Sequence, residues 1–271
     1  MSVPVHEPKA VLQCRDIALA FGGLRALKGV SFEIGQGEIF GLVGPNGSGK
    51  TSMVNVITGF YRPQAGSVVV FGEDMTRMKP HRIATRGVAR TFQNLALFRG
   101  MTVLENILLG RHIHMQAGAL PTLFYWVWAL RNEVANRRVV EELIDFMQLQ
   151  DIRDEPVESI PLGLQKRVEL ARALAAEPKL LILDEPMAGM NQEEKEYIAR
   201  FILDAREERN TTVLLIEHHM DVVTSLCDRV MVLSYGESIA QGKPMDAIAD
   251  PRVVSAYLGQ RAAARHVGAA A

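Results

Sequence analysis

Eight consecutive residues have the types and spacing to bind a phosphate chain. They are Gly44, Pro45, Asn46, Gly47, Ser48, Gly49, Lys50 and Thr51, which fit the pattern G-x-x-x-x-G-K-[ST]. Glycines let a backbone turn tightly and aim its N–H groups at phosphate oxygens, and a helix that starts there adds its positive dipole end. We therefore expect Lys50 to reach the β- and γ-phosphates of a nucleotide and the Thr51 hydroxyl to bind Mg²⁺.

Two adjacent carboxylates could supply the rest of the chemistry. Asp184 and Glu185 directly follow the apolar run 180–183. We expect Asp184 to bind Mg²⁺, directly or through water, and Glu185 to polarise the water that attacks the γ-phosphate. The two motifs together predict a nucleotide hydrolase.

The elements around these motifs predict an α/β core. The glycine-rich loop lies between the apolar run 39–43 and a stretch with helical potential at 52–57. The continuous apolar runs 180–183 and 212–216 are typical of strands buried on both faces of a parallel sheet. Between them, Ile198 and Ile202 recur at helical spacing, which predicts a strand-helix-strand unit.

Two further regions differ from that core. Short segments rich in β-branched residues, punctuated by glycine, predict strands at 11–21, 29–34 and 67–71. The stretch from about 94 to 152 has few strand signals and long helical patterns, for example Val139, Leu143 and Met147. It is interpreted as a helical subdomain inserted into the α/β core.

Composition limits the possible classes of protein. The chain has 271 residues, 48% of them apolar, and a net charge of −1. This suffices for one large core, and the absence of a long basic block argues against nucleic acid as a partner. The longest apolar stretch, about 120–130, is too short to span a bilayer, and the first ten residues do not read as a signal peptide.

At this point the chain resembles the ATP-binding subunits of ABC transporters. It is most similar, within that superfamily, to the ATPases of branched-chain (hydrophobic) amino-acid importers. The resemblance covers nearly all of residues 9–259. Its motifs are the loop at 44–51, Arg-Thr-Phe-Gln-Asn at 90–94, Val-Glu-Leu-Ala-Arg-Ala-Leu at 168–174, Asp-Glu-Pro-Met-Ala-Gly-Met-Asn at 184–191, Ile-Glu-His-His-Met at 216–220 and Ala-Tyr-Leu-Gly at 256–259.

The resemblance implies a fold and its division into domains. The fold is a P-loop NTPase core of the ABC ATPase type, with an antiparallel β subdomain and an inserted helical subdomain. Residues 9–92 and 153–259 would form the ATP-binding core, residues 93–152 the helical subdomain, and residues 260–271 a flexible tail.

The resemblance also implies roles for single residues around bound ATP and Mg²⁺. Phe21 would stack on adenine, and Ser52 would continue the phosphate-binding loop. Gln93 would contact Mg²⁺ or the attacking water at the junction with the helical subdomain. His218 would contact the γ-phosphate. Catalysis would then rest on Glu185, His218 and Gln93.

The family's signature segment departs from its usual Leu-Ser-Gly-Gly-Gln. The matching residues run from Ile160 to Gln165, with Pro161 in place of the serine and Leu164 in place of the first glutamine, while Leu162, Gly163 and Gln165 complete the segment. In the head-to-tail dimer of the family this segment contacts the nucleotide of the opposite subunit, and Pro161 has neither the serine hydroxyl nor an N–H. The nucleotide at Lys50 and Glu185 faces the partner's signature instead, so we expect this chain's own site to be the stronger hydrolytic one.

The resemblance finally implies an assembly. The partners would be membrane-spanning permease subunits, a second ABC ATPase subunit and, indirectly, a periplasmic solute-binding protein. A heterodimer is expected, while a homodimer stays open. The chain would lie peripherally on the cytoplasmic face of the bacterial inner membrane. The aromatic residues at 124–128 would pack within the helical subdomain or dock a membrane partner.

Two alternatives remain at this stage. One is the ATPase of a lipopolysaccharide-type exporter, which resembles this chain in its core and C-terminal end. The other is a soluble ABC ATPase that acts on ribosomes or DNA. The long insert argues against the first, and the single cassette without basic excess argues against the second. The transported substrate does not follow from the sequence.

Overall fold

A computed structural model describes residues 10–91, 96–114 and 122–257, with the side chains of 122–132 left out. Ten strands lie in the described part: β1 (Ala10–Phe21), β2 (Leu24–Gly35), β3 (Ile39–Val43), β4 (Ala65–Val70), β5 (Glu73–Asp74), β6 (Val88–Arg90), β7 (Leu180–Asp184), β8 (Thr212–Glu217), β9 (Arg229–Ser234) and β10 (Glu237–Gly242). The helices are α1 (Lys50–Ile57), α2 (Pro80–Ala84), α3 (Val103–Leu109), α4 (Thr122–Phe146), α5 (Leu162–Leu174), α6 (Gln192–Arg209), α7 (Met220–Leu226) and α8 (Pro244–Ala249). Two short 3-10 turns cover Gly110–His114 and Gln150–Ile152.

The chain divides by its contacts into two compact units. One comprises Met1–Arg86 and Leu203–Ala271, the other Gly87–Ile202. This division differs from the domain limits predicted from the sequence, which remain a prediction.

The first unit contains an antiparallel sheet in the order β2-β1-β4-β5. Strands β1 and β2 pair along their length, from Leu12 opposite Ile34 to Phe21 opposite Leu24, with several register shifts. Their burial alternates in part, as in a sheet with one face on the core and one in solvent. β2 starts at Leu24, earlier than the predicted residue 29, and the added part contains the exposed Leu24 and Arg25 as well as the buried Leu27.

The same unit contains the strands that position the phosphate-binding loop. β3 pairs in parallel with β8 on one side and with β9 on the other, while β10 adds antiparallel to β9. All residues of β3 and β8 are buried, which confirms that their apolar runs are interior strands. In a parallel arrangement the carboxyl ends of β3 and β8 point the same way, so the loops that follow them emerge at one edge.

The second unit combines a short parallel pair with helices. β6 runs beside β7 with Val88 opposite Leu180 and Arg90 opposite Ile182. The helical pattern predicted near 139–147 is present in α4, where Val140, Leu143 and Ile144 are fully or almost fully buried. α3 begins at a reciprocal cap, since Thr102 accepts from the Glu105 amide and the Glu105 side chain accepts from the Thr102 amide.

Two smaller predictions concern the membrane and the cysteines. Within the described residues, the structure contains no helix long and apolar enough to cross a bilayer. Cys14 and Cys227 are both free and buried. Burial raises the pKa of both thiols, that of Cys227 to about 12, so neither cysteine has the character of a reactive thiolate.

Candidate functional site

The glycine-rich loop connects β3 to α1, the context that a phosphate-binding loop requires. Gly44, Gly47 and Gly49 have φ of 149°, 77° and 111°, a region that side chains rarely adopt. A Cβ at Gly44 would collide with the Leu233 carbonyl, and one at Gly49 would lie 2.8 Å from the Ala26 carbonyl. Both glycines are therefore required by the tight passage of the loop between its neighbours.

Lys50 lies across the loop that precedes it. Its Nζ donates to the carbonyls of Gly44 at 2.6 Å and Pro45 at 3.0 Å, and the residue is only 6% exposed. These bonds hold the ammonium against the backbone of the loop. Thr51 is exposed in the first turn of α1, beside the partly buried Ser52. The buried Ser48 hydroxyl has no hydrogen-bond partner within the described part of the chain.

A shallow pocket adjoins the outer side of this loop. It is lined by Pro45, Asn46, Gly47, Ser48, Ser234, Tyr235 and Ala256. The next residue, Tyr257, is also close to the loop: burial raises the pKa of its phenol to about 12, and the nearby Gly44 amide lowers it in part. In the sequence, this tyrosine belongs to the family motif Ala-Tyr-Leu-Gly at 256–259, which assigns it no role.

Phe21 ends β1 as a half-exposed ring. It is 46% exposed and packs edge-on against Tyr61, with ring centroids 5.1 Å apart and planes at 73°. The exposure leaves ring surface available for stacking on a planar base. Tyr61, which the sequence analysis did not single out, supports the ring from one side.

His218 follows β8, the strand that pairs with β3. It is exposed, and its ring lies 4.3 Å from that of His219, centroid to centroid. The backbone N–H of His218 donates to the fully buried Glu217 carboxylate at 3.2 Å. The loop that carries the predicted γ-phosphate ligand is thus anchored at the end of a buried strand.

In the second unit, Asp184 and Glu185 stand at the end of β7. Asp184 is 2% exposed, whereas Glu185 is partly exposed and has a positive φ of 50°. A left-handed backbone costs a non-glycine residue of the order of 1 kcal/mol. The strand therefore ends in a buried carboxylate followed at once by a strained, more accessible one.

Arg90 is a neighbour of Asp184 for which no sequence motif predicts a role. Its Nη2 donates to Asp184 Oδ2 at 2.8 Å, and both side chains are largely buried. Sequence analysis placed Arg90 only inside a family motif. The signal that could have found it is the parallel register of β6 and β7, which no local pattern reveals.

The signature residues form the start of α5. Pro161 is the N-cap residue, with φ −56° and ψ 154°, and no side chain caps the helix. Leu162 is 44% exposed, and Gln165 donates to the Ile160 carbonyl at 2.8 Å. A Cβ at Gly163 would meet the Glu194 side chain. The helix is intact despite the proline, as expected for a residue that tolerates helix starts.

Three sequence predictions fall outside what can be described. Gln93 and the end of the Tyr-Leu-Gly motif, residues 258–259, lie outside the described residues. The aromatic stretch 124–128 is helical and belongs to α4, but its side chains are also outside them.

The residues present fit a nucleotide and a hard cation. The loop offers backbone N–H groups, a buried lysine and the start of α1, a set that suits phosphates. The exposed Thr51 hydroxyl and the Asp184 carboxylate are oxygen donors, the kind that Mg²⁺ prefers.

The fold and the loop define an ATP-binding cassette. Residues 27–188 match the ABC transporter family, so the chain belongs to this family. Among solved structures it is similar to a nucleotide-free ATP-binding cassette from an ABC transporter, with a TM-score of 0.79 and 33% identity, covering 92% of this chain and 98% of that one. A cassette in its ADP conformation gives a TM-score of 0.78 and 31% identity, with 92% and 99% covered.

Curated relatives are more specific. The chain is 36% identical over 252 residues to the high-affinity branched-chain amino acid transport ATP-binding protein BraF of Pseudomonas aeruginosa, covering 93% of this chain and 99% of that protein. It is 35% identical over 250 residues to the corresponding protein LivG of Escherichia coli, with 92% and 98% covered. An archaeal LivG from Methanocaldococcus jannaschii is 34% identical over 260 residues, with 94% and 100% covered.

These findings confirm the family and the fold class predicted from the sequence. The chain is an ATP-binding, ATP-hydrolysing subunit of an ABC transporter. Its fold is α/β, with one antiparallel sheet and one sheet that contains both parallel and antiparallel strands. The names of the relatives do not favour the exporter or the soluble ATPase.

Proposed function

We propose that this chain binds and hydrolyses MgATP to drive a membrane importer of branched-chain amino acids or a related small solute. The observation that carries the nucleotide chemistry is the glycine-rich loop, with Lys50 bonded to the carbonyls of Gly44 and Pro45. The choice of cargo rests on the relatives from Pseudomonas aeruginosa and Escherichia coli, which are named as branched-chain amino acid transport ATP-binding proteins.

In this proposal the first unit binds the nucleotide. The N–H groups of residues 44–52 and the Lys50 ammonium hold the phosphates, and the exposed ring of Phe21 stacks on adenine. Thr51 in α1 and Asp184 at the end of β7 supply oxygens for Mg²⁺, together with Gln93. When bound, Mg²⁺ neutralises charge that develops on the phosphate oxygens.

Hydrolysis is assigned to Glu185, His218 and Gln93. Glu185 accepts a proton from the attacking water, and His218 contacts the γ-phosphate. The partial exposure of Glu185, next to the buried Asp184, suits a base that must reach a water molecule. A positioned general base contributes about 10²–10⁴-fold to the rate.

The signature segment acts on a second cassette. Pro161, Leu162, Gly163 and Gln165 contact the nucleotide of the partner subunit, where Pro161 offers no hydrogen bond. That loss weakens the partner's site and leaves the site at Lys50 and Glu185 the stronger of the two. The second cassette is a different subunit in this proposal, although a second copy of this chain would fit the same geometry.

The working assembly contains membrane-spanning permease subunits and, indirectly, a periplasmic solute-binding protein. The chain lies on the cytoplasmic face of the inner membrane. Closure of the two cassettes on ATP, and their reopening after hydrolysis, is the motion that the permeases use.

Two variants test the nucleotide chemistry. Lys50→Ala removes a charged donor to phosphate and should weaken ATP binding by about 10- to 100-fold, measured by calorimetry. Glu185→Gln should retain ATP binding and lower turnover by about 10²–10⁴-fold. Lys243→Ala, an exposed lysine at the start of α8, is the matched control and should behave as the wild type. Unchanged affinity and turnover in Lys50→Ala would refute the loop's assignment.

A further inference from the structure

Arg90 at the end of β6 pairs with Asp184 at the end of β7. Arg90 Nη2 donates to Asp184 Oδ2 at 2.8 Å, and the two side chains are 11% and 2% exposed. A buried carboxylate that loses its guanidinium partner retains an uncompensated charge. The positive charge of Arg90 therefore compensates the negative charge of the Asp184 carboxylate.

Thr91 fixes the same aspartate from the backbone side. The Thr91 amide donates to the Ile182 carbonyl at 2.9 Å, which continues the β6–β7 register. The Thr91 hydroxyl in turn accepts a bond from the Asp184 amide at 3.2 Å. Arg90 thus binds Oδ2 of the carboxylate, whereas Oδ1 accepts no hydrogen bond from the described residues.

We propose that Arg90 is a positioning residue that makes cation binding at Asp184 depend on nucleotide. It holds Oδ2, leaves Oδ1 for Mg²⁺, and neutralises the carboxylate so that the cation is retained only when phosphates add negative charge. This inference rests on the proposed function, in which Asp184 is a metal ligand.

Simple electrostatics gives the direction of the effect. Without nucleotide, a divalent cation at Oδ1 is attracted by one carboxylate but repelled by a guanidinium bonded to that carboxylate. Charges at such short range interact strongly inside a protein, where the effective dielectric constant is far below that of water. The triphosphate of ATP carries enough negative charge to outweigh the repulsion from a single arginine.

The test measures Mn²⁺ binding to the full-length, nucleotide-free protein by electron paramagnetic resonance. Arg90→Gln keeps a hydrogen-bond donor and removes the charge, so it should bind Mn²⁺ at least about tenfold more tightly than the wild type. Adding Asp184→Asn to that variant should abolish the gain. Arg90→Lys keeps the charge and should stay within about twofold of the wild type.

The matched control is Arg86→Gln, which also removes one arginine just upstream. Arg86 pairs with Glu73, and both side chains are about half exposed (47% and 45%). This variant should leave Mn²⁺ affinity within about twofold of the wild type, because an exposed pair is screened by solvent. If Arg86→Gln gained as much Mn²⁺ affinity as Arg90→Gln, the gain would come from the net charge of the protein, and the proposal would be overturned.

A second measurement needs no change at Arg90 and so survives a folding defect there. In the nucleotide-free wild type the cation should bind at Asp184 too weakly to contribute to the measured Mn²⁺ binding, so Asp184→Asn alone should change that binding by less than about twofold. In the ATP complex the same variant should weaken Mn²⁺ binding at least about tenfold. If it weakens Mn²⁺ binding as much without nucleotide as with it, the role of Arg90 is wrong.

The remaining outcomes separate the inference from the proposed function. If Arg90→Gln folds and binds Mn²⁺ as the wild type does, Arg90 has no role in cation binding and the proposed function stands. If Asp184→Asn leaves Mn²⁺ affinity of the ATP complex unchanged, Asp184 is not a metal ligand, and both statements fall.

Discussion

At the scale of single residues, both predicted nucleotide-binding motifs contain residues with unusual backbone angles. Gly44 and Gly49 adopt backbone angles that other residues rarely adopt, and Glu185 has a left-handed backbone although it has a side chain. Strain of this kind persists only where surrounding contacts enforce it. Tyr257 is a buried polar residue beside the same loop, since its phenol lies close to the Gly44 amide.

Tyr257 gives a prediction about alkaline stability. Its pKa is about 12 in the folded protein, against about 10 in an unfolded chain. Between those values the unfolded chain loses its proton first, so this residue makes stability fall as pH rises. Tyr257→Phe should lose less stability than the wild type between about pH 9 and about pH 11, measured by urea unfolding.

Tyr235→Phe is the control for that experiment. Tyr235 is 78% exposed and lines the same pocket, so its replacement should leave the pH dependence of the wild type intact. An identical fall in stability for wild type and Tyr257→Phe would contradict the burial of this phenol.

At the scale of elements, α5 is the helix whose start departs most from the family pattern. Pro161 caps it without a side-chain hydrogen bond, although the helix continues to Leu174. α3 and α6 show what a helix start in this chain can have instead. Thr102 caps α3, and the Asn191 side chain accepts from the Glu194 amide at the start of α6. α5 has therefore given up a cap at the segment proposed to face the partner's nucleotide.

Pro161→Ser should restore both the cap and the missing donor. Serine at an N-cap stabilises a helix by about 1 kcal/mol relative to alanine, so Pro161→Ser should unfold at higher urea than Pro161→Ala. In the assembled transporter it should also raise hydrolysis at the partner's site, since a donor to phosphate is worth about 1.5–3 kcal/mol. Equal stability and equal turnover for the serine and alanine variants would argue against both effects.

How much the sequence could predict depends on how local each feature is. The phosphate-binding loop is contiguous and surrounded by a strand and a helix, so eight residues were enough to predict it. The buried strands β7 and β8 were predicted within a residue or two of their ends, because continuous apolar runs identify interior strands.

Contacts between residues that are far apart in the chain could not be predicted from the sequence. Arg90 and Asp184 are 94 positions apart and meet only because β6 and β7 pair in parallel. Tyr61 beside Phe21, and Tyr257 beside Gly44, likewise depend on how separate segments pack. Register and packing are tertiary properties, and periodicity within one segment does not encode them.

At the scale of the whole molecule, the motifs are shared between two units of the chain. The phosphate-binding loop and His218 belong to one unit, while Asp184, Glu185 and the start of α5 belong to the other. An importer ATPase does its work only in an assembly, because its cargo never touches it. The partners of the intact chain therefore test the proposed transport function most directly.

The most direct measurement is purification of the tagged, full-length chain from native membranes. Mild detergent, ATP and vanadate would preserve the closed complex, and mass spectrometry would identify what accompanies the chain. We predict integral membrane permease subunits together with a second, different cassette. Recovery of ribosomal or DNA-bound proteins instead, with the chain absent from the membrane fraction, would contradict the account.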